Sequence, residues 1–83
     1  MKLRIRYFAS LREALGSGES LELPAGADVA AARDALIARS ERHAAALART
    51  RALRCALDQA LCDEAAVLHD DAELAFFPPV TGG

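Results

Sequence analysis

Residues 2–7 read Lys-Leu-Arg-Ile-Arg-Tyr, with a charged side chain before each hydrophobic one. Successive side chains of a β-strand point to opposite faces, so this alternation places Leu3, Ile5 and Tyr7 on one face. The opposite face carries positive charges, which stay in water. The stretch therefore predicts a strand in a sheet that is covered on one side only.

Two helices are predicted downstream of this strand. Ser10 and Glu13 have the spacing of a capping box, in which the serine hydroxyl accepts a hydrogen bond from the first turn and the glutamate bonds back to the serine amide. This short helix should end at Gly16 and Gly18, since glycine enters the left-handed backbone region without steric cost. Asp28 is expected to cap the main helix. The apolar positions of that helix recur at helical spacing: Val29, Ala32, Leu36 and Ile37.

Further strands are predicted from alternation and from turn residues. They are residues 19–23, residues 53–57, a short strand at residues 61–62 after a turn at Gln59 and Ala60, and residues 73–77. Pro78 and Pro79 should end the last strand, because proline lacks the amide that a sheet ladder needs. Residues 40–51 are rich in alanine and arginine, and we expect either another helical turn or a loop with helical character there.

The order of these elements indicates a mixed α+β domain. The second strand returns antiparallel beside the first, and the crossover rule lets the final strand lie parallel to the first in the sheet centre. This arrangement is the ubiquitin-like β-grasp, a mixed sheet of four to five strands with one main helix packed across one face. We expect residues 1–83 to form a single β-grasp domain with a flexible C-terminal tail over residues 79–83.

The charge and hydropathy of the chain exclude several classes of partner. Ten basic and twelve acidic residues give a net charge of −2, which provides no broad attraction to nucleic acid or anionic lipid. The N-terminal residues alternate, whereas a secretory signal or a membrane span needs an unbroken apolar run. We therefore expect a cytoplasmic protein that binds neither nucleic acid nor membrane.

Candidate reactive side chains are few. Cys55 and Cys62 are separated by six residues, which fits neither a CxxC redox pair nor half of a zinc site. Both are interpreted as reduced, mostly buried thiols, and no metal site is predicted. His43 and His69 stand in polar surroundings and are interpreted as solvated surface residues. No serine or cysteine has an evident histidine base with an orienting acid, so the pattern predicts no ordinary catalytic centre.

The chain ends in Phe-Phe-Pro-Pro-Val-Thr-Gly-Gly, residues 76–83, directly after the last predicted strand. Gly82 and Gly83 have no side chains, so the segment can thread a narrow channel and bring its end beside a nucleotide phosphate or a small acceptor. A glycine pair standing alone is more often a frayed terminus or a cloning remnant.

A second motif supports the functional interpretation of this terminus. Residues 75–83 (AFFPPVTGG) and residues 7–13 (YFASLRE) together resemble the small subunits of molybdopterin synthases, which are ubiquitin-like sulfur carriers. The resemblance extends to residues 24–26 (Pro-Ala-Gly) and to the pair Asp58-Gln59. The family often has Asn-Gln in place of this Asp-Gln pair. The match covers nearly the whole chain, and the terminal motif is its most specific part.

The resemblance implies that Gly83 carries the reactive group. In such carriers an E1-like activating enzyme consumes ATP to adenylate the terminal carboxylate, and a sulfur donor converts the adenylate to a thiocarboxylate. Thr81 and Gly82 would then thread the large synthase subunit, where the sulfur attacks cyclic pyranopterin monophosphate in molybdenum cofactor biosynthesis. The resemblance also implies a heterotetramer of two small and two large subunits. It implies no stably bound cofactor and no activity without the large subunit.

Docking residues are expected at the end of the last strand. Alternation places Phe76 and Phe77 on opposite faces, and we assign Phe77 to the outside. The resemblance implies that Phe77 contacts the large subunit, while Pro78, Pro79 and Val80 stiffen and anchor the base of the tail. Burial of both rings in the core is the alternative. The basic residues of the first strand either form an electrostatic rim of this face or are simply solvated.

Other functions stay open at this level. The glycine end also suits sulfur carriers of the thiamine, cysteine or tRNA-thiolation pathways, although Phe-Phe-Pro-Pro-Val argues against them. From a different class, a β-grasp domain can serve as a ubiquitin-like conjugation tag or as an interaction module.

Overall fold

The computed structural model describes residues 1–79 of the protein, which form a five-stranded sheet and three helices within that range. The elements in chain order are β1 (Lys2–Tyr7), α1 (Ser10–Leu15), β2 (Gly18–Glu22), α2 (Val29–Ile37), α3 (Glu41–Leu47), β3 (Arg54–Leu57), β4 (Ala60–Cys62) and β5 (Glu73–Phe77). The sheet has the strand order β2-β1-β5-β3-β4. Strand β5 runs parallel to β1 and antiparallel to β3. The predicted mixed α+β β-grasp is confirmed.

One face of the sheet packs against the helices and holds the core. Burial along β1 alternates strictly, as its sequence predicts. The buried strand side chains on this face are Leu3, Ile5, Tyr7, Leu21, Cys55, Leu74 and Phe76. The helices contribute Leu11 from α1, Val29, Ala32 and Leu36 from α2, and Ala46 and Leu47 from α3 to the same cluster. The other sheet face carries the charged side of β1 and is left open by the helices.

Helix α1 begins one residue earlier than predicted and is capped differently. Ser10 is its first helical residue, and the preceding Ala9 has a φ of 54°. No side-chain hydrogen bond caps the helix. The predicted capping box is therefore wrong, because a capping residue must precede the first turn with a non-helical backbone, and Ser10 lies one position too late. At the other end Gly16 has a φ of 91°, which confirms its predicted role.

Gly18 belongs to β2 instead of ending α1. It faces Arg6 in the β1–β2 ladder. A Cβ atom at this position would lie 2.3 Å from the carbonyl oxygen of Ile5, far inside van der Waals contact. A close approach of two backbones, and not a helix end, therefore requires glycine here.

The stretch from residue 40 to residue 51 is mostly helical and folds back on α2. Ser40 caps α3 by accepting a hydrogen bond from the His43 amide at 3.1 Å, much as Asp28 caps α2 through the Ala31 amide at 2.9 Å. The end of α3 is held by the buried guanidinium of Arg33 on α2. Its Nε donates to the Leu47 carbonyl at 2.8 Å.

The hairpin between β3 and β4 turns one residue earlier than predicted. Asp58 and Gln59 form the turn with φ values of 50° and 71°, so Ala60 already belongs to β4. Two consecutive positive φ angles make a type I′ turn, whose twist matches that of the strands it joins. The prediction of a turn at Gln59 and Ala60 is wrong because it overlooked that Asp also tolerates this backbone region.

Candidate functional site

The candidate site lies where β5 ends, in the middle of the sheet. Strand β5 is hydrogen-bonded to β1 on one side and to β3 on the other. The Phe8 amide donates to the Phe76 carbonyl at 3.2 Å, which continues the parallel ladder beyond β1. The chain therefore leaves the sheet at Phe77 from a strand that is held on both sides.

The two phenylalanines at the end of β5 have different surroundings. Phe76 is 1% exposed and belongs to the core. Phe77 is half-buried and lies on the open face, outside the core cluster, as the alternation predicts. Of the two prolines that follow, Pro78 is half-buried and Pro79 is exposed. The alternative of two core rings is wrong.

A shallow groove of about 700 Å³ runs over the open face beside this strand end. We call it the outer groove. The residues that line it come from β1, β3, β5 and the segments next to them: Arg6, Phe8, Ala9, Ala56, Gln59, Glu73, Ala75, Phe77, Pro78 and Pro79. Most of these side chains are apolar. Contiguous apolar surface of this kind in a small domain marks a site of protein or ligand contact.

Two exposed hydrophobic side chains extend the apolar surface. Phe8 is 40% exposed and lines the outer groove. Leu61 is 72% exposed and faces Ala56 across the β3–β4 ladder, which puts it on the same sheet face. Together with Phe77 they place three large apolar side chains on the open face of the sheet. Large apolar anchors of this type carry most of the binding energy in protein interfaces.

Charged side chains border the groove along β1. The guanidinium of Arg6 lies 5.6 Å from the centroid of the Phe8 ring, a cation–π distance. Both Arg6 and Arg4 approach the Glu73 carboxylate at 3.8 Å, and Arg4 also pairs with Asp71 at 3.3 Å. The two arginine side chains are about half exposed. They can therefore turn toward an acidic partner, and such rim charges influence association rate more than affinity.

The Asp58 carboxylate fixes the hairpin turn at the edge of the outer groove. It accepts a hydrogen bond from the Glu73 amide at 3.0 Å and pairs with the His69 ring. The Glu73 amide and then His69 lower the pKa of Asp58, while the carboxylate raises the pKa of His69. His69 is exposed, as predicted, but it is also ion-paired when protonated. Asp58 thus supplies a charge partner for His69 at the turn.

A second polar cluster lies at the opposite edge of the sheet, between β2 and α3. The Glu19 carboxylate accepts from the Tyr7 hydroxyl at 2.7 Å, contacts His43 Nε2 at 2.7 Å and pairs with Arg39. Burial alone would raise the pKa of Glu19, but hydrogen bonds from Tyr7, His43 and Arg39 outweigh it, and the pKa is lowered. The His43 side chain is only 16% exposed, so its prediction as a solvated residue is wrong. Ser40 Oγ contacts the other ring nitrogen, and the cluster joins elements of the fold.

Known proteins are similar to this chain along almost its whole length. The model of the family described as the ThiS family matches residues 5–83. The chain belongs to the ThiS family. The resemblance seen in the two sequence motifs is thereby confirmed at the level of the family.

Individual relatives of this ThiS-family chain agree with that assignment. It is 37% identical over 81 residues to the molybdopterin synthase sulfur carrier subunit of Escherichia coli K12, covering 98% of this chain and 99% of that protein. SAMP1 of Haloferax volcanii, a small archaeal modifier protein, has a TM-score of 0.80 at 26% identity over the full length of both chains. A Pyrococcus furiosus protein described as subunit 1 of a molybdopterin converting factor has a TM-score of 0.73 at 27% identity, covering 96% and 99% of the two chains.

The ThiS-family chain has two candidate contact residues that the sequence reasoning did not single out. Phe8 continues the even-numbered outer face of β1, and this alternation could have identified it. Leu61 becomes visible only once the hairpin register pairs it with Ala56. The predicted tail residues Val80, Thr81, Gly82 and Gly83 lie outside the described residues.

The described part of the ThiS-family chain carries no group of three or more potential metal ligands. Its helices in the same range include none long and apolar enough to cross a membrane. The polar clusters at Asp58 and Glu19 make bonds between elements of the fold.

Proposed function

We propose that this ThiS-family chain is the sulfur-carrying small subunit of a molybdopterin synthase. The observation that carries the proposal is the apolar outer groove at the point where the diglycine-ended tail leaves β5. The outer groove offers a surface on which a partner can dock. The glycine-ended tail beside it is narrow enough to enter that partner. The relationship to the E. coli sulfur carrier subunit over almost the entire chain supports the same function.

The proposed reaction begins at the Gly83 carboxylate. A carboxylate is a poor electrophile, so an E1-like activating enzyme first transfers AMP from ATP to it, with release of pyrophosphate. A sulfur donor then attacks the carbonyl carbon and AMP leaves, which produces a thiocarboxylate. The anionic sulfur of this group is a soft nucleophile that attacks cyclic pyranopterin monophosphate in the synthase complex. ATP is consumed in activation, and the carrier itself holds no cofactor.

The proposed partner is the large synthase subunit, in a heterotetramer of two small and two large chains. It would cover the outer groove, with Phe77, Phe8 and Leu61 as apolar anchors. Pro78 and Pro79 restrict the backbone at the exit from β5, which lowers the conformational entropy lost when the tail is ordered. Thr81 and Gly82 then lead the terminus into the partner. We assign the acids and bases of the sulfur transfer to the large subunit. We assign the complex to the cytoplasm.

Activation is tested by intact-mass measurement. With an activating enzyme, ATP and a sulfur donor, the chain should gain the mass difference between one sulfur and one oxygen, located at Gly83. A variant that lacks Gly83 is the matched control and should stay unchanged. If the E. coli relative is thiolated under the same conditions while this chain is not, the proposed activation is wrong.

Sulfur delivery is tested by reconstitution. The thiolated chain and a large synthase subunit should convert cyclic pyranopterin monophosphate to molybdopterin, whereas the unthiolated chain should not. Transfer of sulfur only to the acceptors of the thiamine, cysteine or tRNA-thiolation pathways would assign the carrier to one of those pathways instead.

Protein conjugation is a second candidate function, favoured by the likeness to the H. volcanii modifier protein. In that case the activated Gly83 carbonyl would be attacked by a lysine amine and would form an isopeptide bond. Adducts of the chain with lysines of other proteins, lost when Gly83 is removed, would support conjugation. Molybdopterin formation without such adducts would support the carrier function alone.

A further inference from the structure

Two cysteines face each other on the inner side of the β3–β4 hairpin. Cys55 and Cys62 are register partners, both are free thiols, and their Sγ atoms lie 3.6 Å apart. Facing residues of antiparallel strands have Cα atoms about 4.5–5.5 Å apart, within the range of about 4.4–6.8 Å that disulfides span. An S–S bond is about 2.0 Å long, so side-chain rotation and a small adjustment can close the gap.

The two thiols differ in access to solvent. Cys55 is 4% exposed and belongs to the core, whereas Cys62 is half-buried on the edge strand β4. Burial and then the hydrogen bond with Cys62 raise the pKa of Cys55, and the nearby carboxylates of Glu64 and Asp63 act in the same direction. An oxidant therefore reaches the sulfur of Cys62 first. Cys55 is placed to attack the oxidised Cys62 sulfur from within the core.

We infer that Cys55 and Cys62 form a dithiol site that a peroxide oxidises reversibly to an intrachain disulfide. The Cys62 sulfur attacks the peroxide, the O–O bond breaks, and a sulfenic acid and one water form. The Cys55 sulfur then attacks the sulfenic sulfur. The S–O bond breaks, and the hydroxyl leaves with the Cys55 proton as a second water. The two thiols lose two electrons, which the peroxide gains, and a dithiol reductant reverses the change by exchange.

The disulfide would fix the free edge of the sheet. Strand β4 is the last strand of the sheet and pairs with β3 alone. Strands with a partner on one side only open more readily than central strands. The next register pair, Ala56 and Leu61, lies on the opposite face, beside the outer groove. A disulfide on the inner face therefore restrains β4, the strand that carries Leu61. This effect does not depend on which protein binds the open face.

The test uses the reduced full-length chain, hydrogen peroxide and alkylation after unfolding. The oxidised wild-type chain should lose two hydrogens, resist alkylation at both cysteines and yield a linked peptide containing Cys55 and Cys62. Dithiothreitol should restore both thiols.

Cys62→Ser should react about tenfold more slowly, because only the buried thiol remains. Cys55→Ser should accumulate a sulfenic acid that dimedone traps. Amide exchange over residues 60–62 should slow about tenfold in the oxidised wild type.

Several results would overturn the inference. They are disulfide-linked dimers in place of the intrachain bond, a sulfinic acid at Cys62 while Cys55 stays open to alkylation, or no reaction at a peroxide dose that oxidises an unfolded control. Unchanged amide exchange over residues 60–62 after oxidation would reject the inference that the disulfide stabilises the edge strand β4. Should Cys55→Ser not fold, the peptide map of the wild type and the rate of Cys62→Ser still decide the outcome.

Discussion

Phe76 and Phe77 are chemically identical neighbours with different physical environments. Phe76 is buried among the helices, and Phe77 lines the outer groove. This division follows directly from the alternation of side chains along a strand. The first ring should contribute mainly to folding and the second mainly to binding, which separates the two roles experimentally.

Replacement of Phe77 should affect docking far more than folding. Phe77→Ala is expected to weaken binding of the large subunit by about 1–3 kcal/mol, because it removes a central apolar anchor. Phe76→Ala should instead lower the free energy of unfolding by about 3–5 kcal/mol through the cavity that it leaves. Calorimetric titration and urea unfolding measure the two quantities.

Val67→Ala provides a control for this pair, since Val67 is exposed but does not line the outer groove. It should leave affinity unchanged within error. An affinity loss for Val67→Ala equal to that of Phe77→Ala, or an unfolded Phe77→Ala with normal affinity per folded molecule, would contradict the assigned role.

Residues differ in how far their environment can be predicted from local sequence. Strand periodicity alone places the two phenylalanines on opposite faces, and the family resemblance indicated that Phe77 is the outer one. His43 could not, because its partner Glu19 lies on β2 and is brought to it only by the packing of α3. Leu61 was likewise hidden until the hairpin register was known.

At the scale of elements, Arg33 explains how the short helix α3 is held. Arg33 is 3% exposed and donates to the carbonyls of Leu47, Ala48 and Arg51 at 2.6–3.0 Å. It also pairs with Glu64 at 2.6 Å. A helix of seven residues cannot hold itself together in water, and its last carbonyls need donors. Arg33, on α2, supplies a donor for Leu47, the last residue of α3, and for Ala48, the residue that follows it.

Removal of the Arg33 guanidinium should therefore loosen α3. Arg33→Met keeps much of the aliphatic length but removes the donor to the carbonyls of Leu47, Ala48 and Arg51, and it leaves Glu64 paired with Arg49 alone. We expect the free energy of unfolding to fall by about 3 kcal/mol, the cost of breaking a largely buried pair. Arg42→Met, at an exposed position of α3, should stay within about 0.5 kcal/mol of the wild type. Equal effects of both substitutions in urea unfolding would reject this explanation.

The elements also show where local signals fail. Alternation located β1, whose charged face stays open, and the proline pair after Phe77 located the end of β5. The capping-box spacing of Ser10 and Glu13 was misleading, because Ala9, with its positive φ, is the residue before the first turn and the helix starts one residue earlier than a serine cap would allow. The packing of α3 depends on contacts of Arg33 across fourteen or more positions of sequence, which no local window contains.

For the whole molecule, the carboxylates that join distant elements determine how stability depends on pH. Burial alone would raise the pKa of Glu64, but hydrogen bonds from Arg49 and Arg33 and their charges lower it, and Glu19 behaves in the same way. A carboxyl group whose pKa is lowered on folding stabilises the native state fully above its unfolded pKa, here 4.5 for both groups. That contribution is lost as the pH falls through the lowered pKa of the folded state.

The free energy of unfolding should therefore fall between about pH 5 and pH 3, by up to about 1.4 kcal/mol per pH unit for each such group. Urea unfolding across this range measures it. Glu64→Gln should be less stable than the wild type near neutral pH and should show a shallower decline on acidification. A wild-type stability that is flat over the range, or that rises on acidification, would contradict the assignment of these pairs.

The position of β5 has a mechanical consequence. Strand β5 runs parallel to β1 at the sheet centre, so the chain enters β1 and leaves β5 at opposite ends of the same ladder. Tension between the N-terminal end and the tail would load that ladder in shear, and its hydrogen bonds would share the force instead of peeling apart singly. A chain pulled at its tail against a held N-terminal end should therefore keep its fold to a higher force than one whose strands separate from one end.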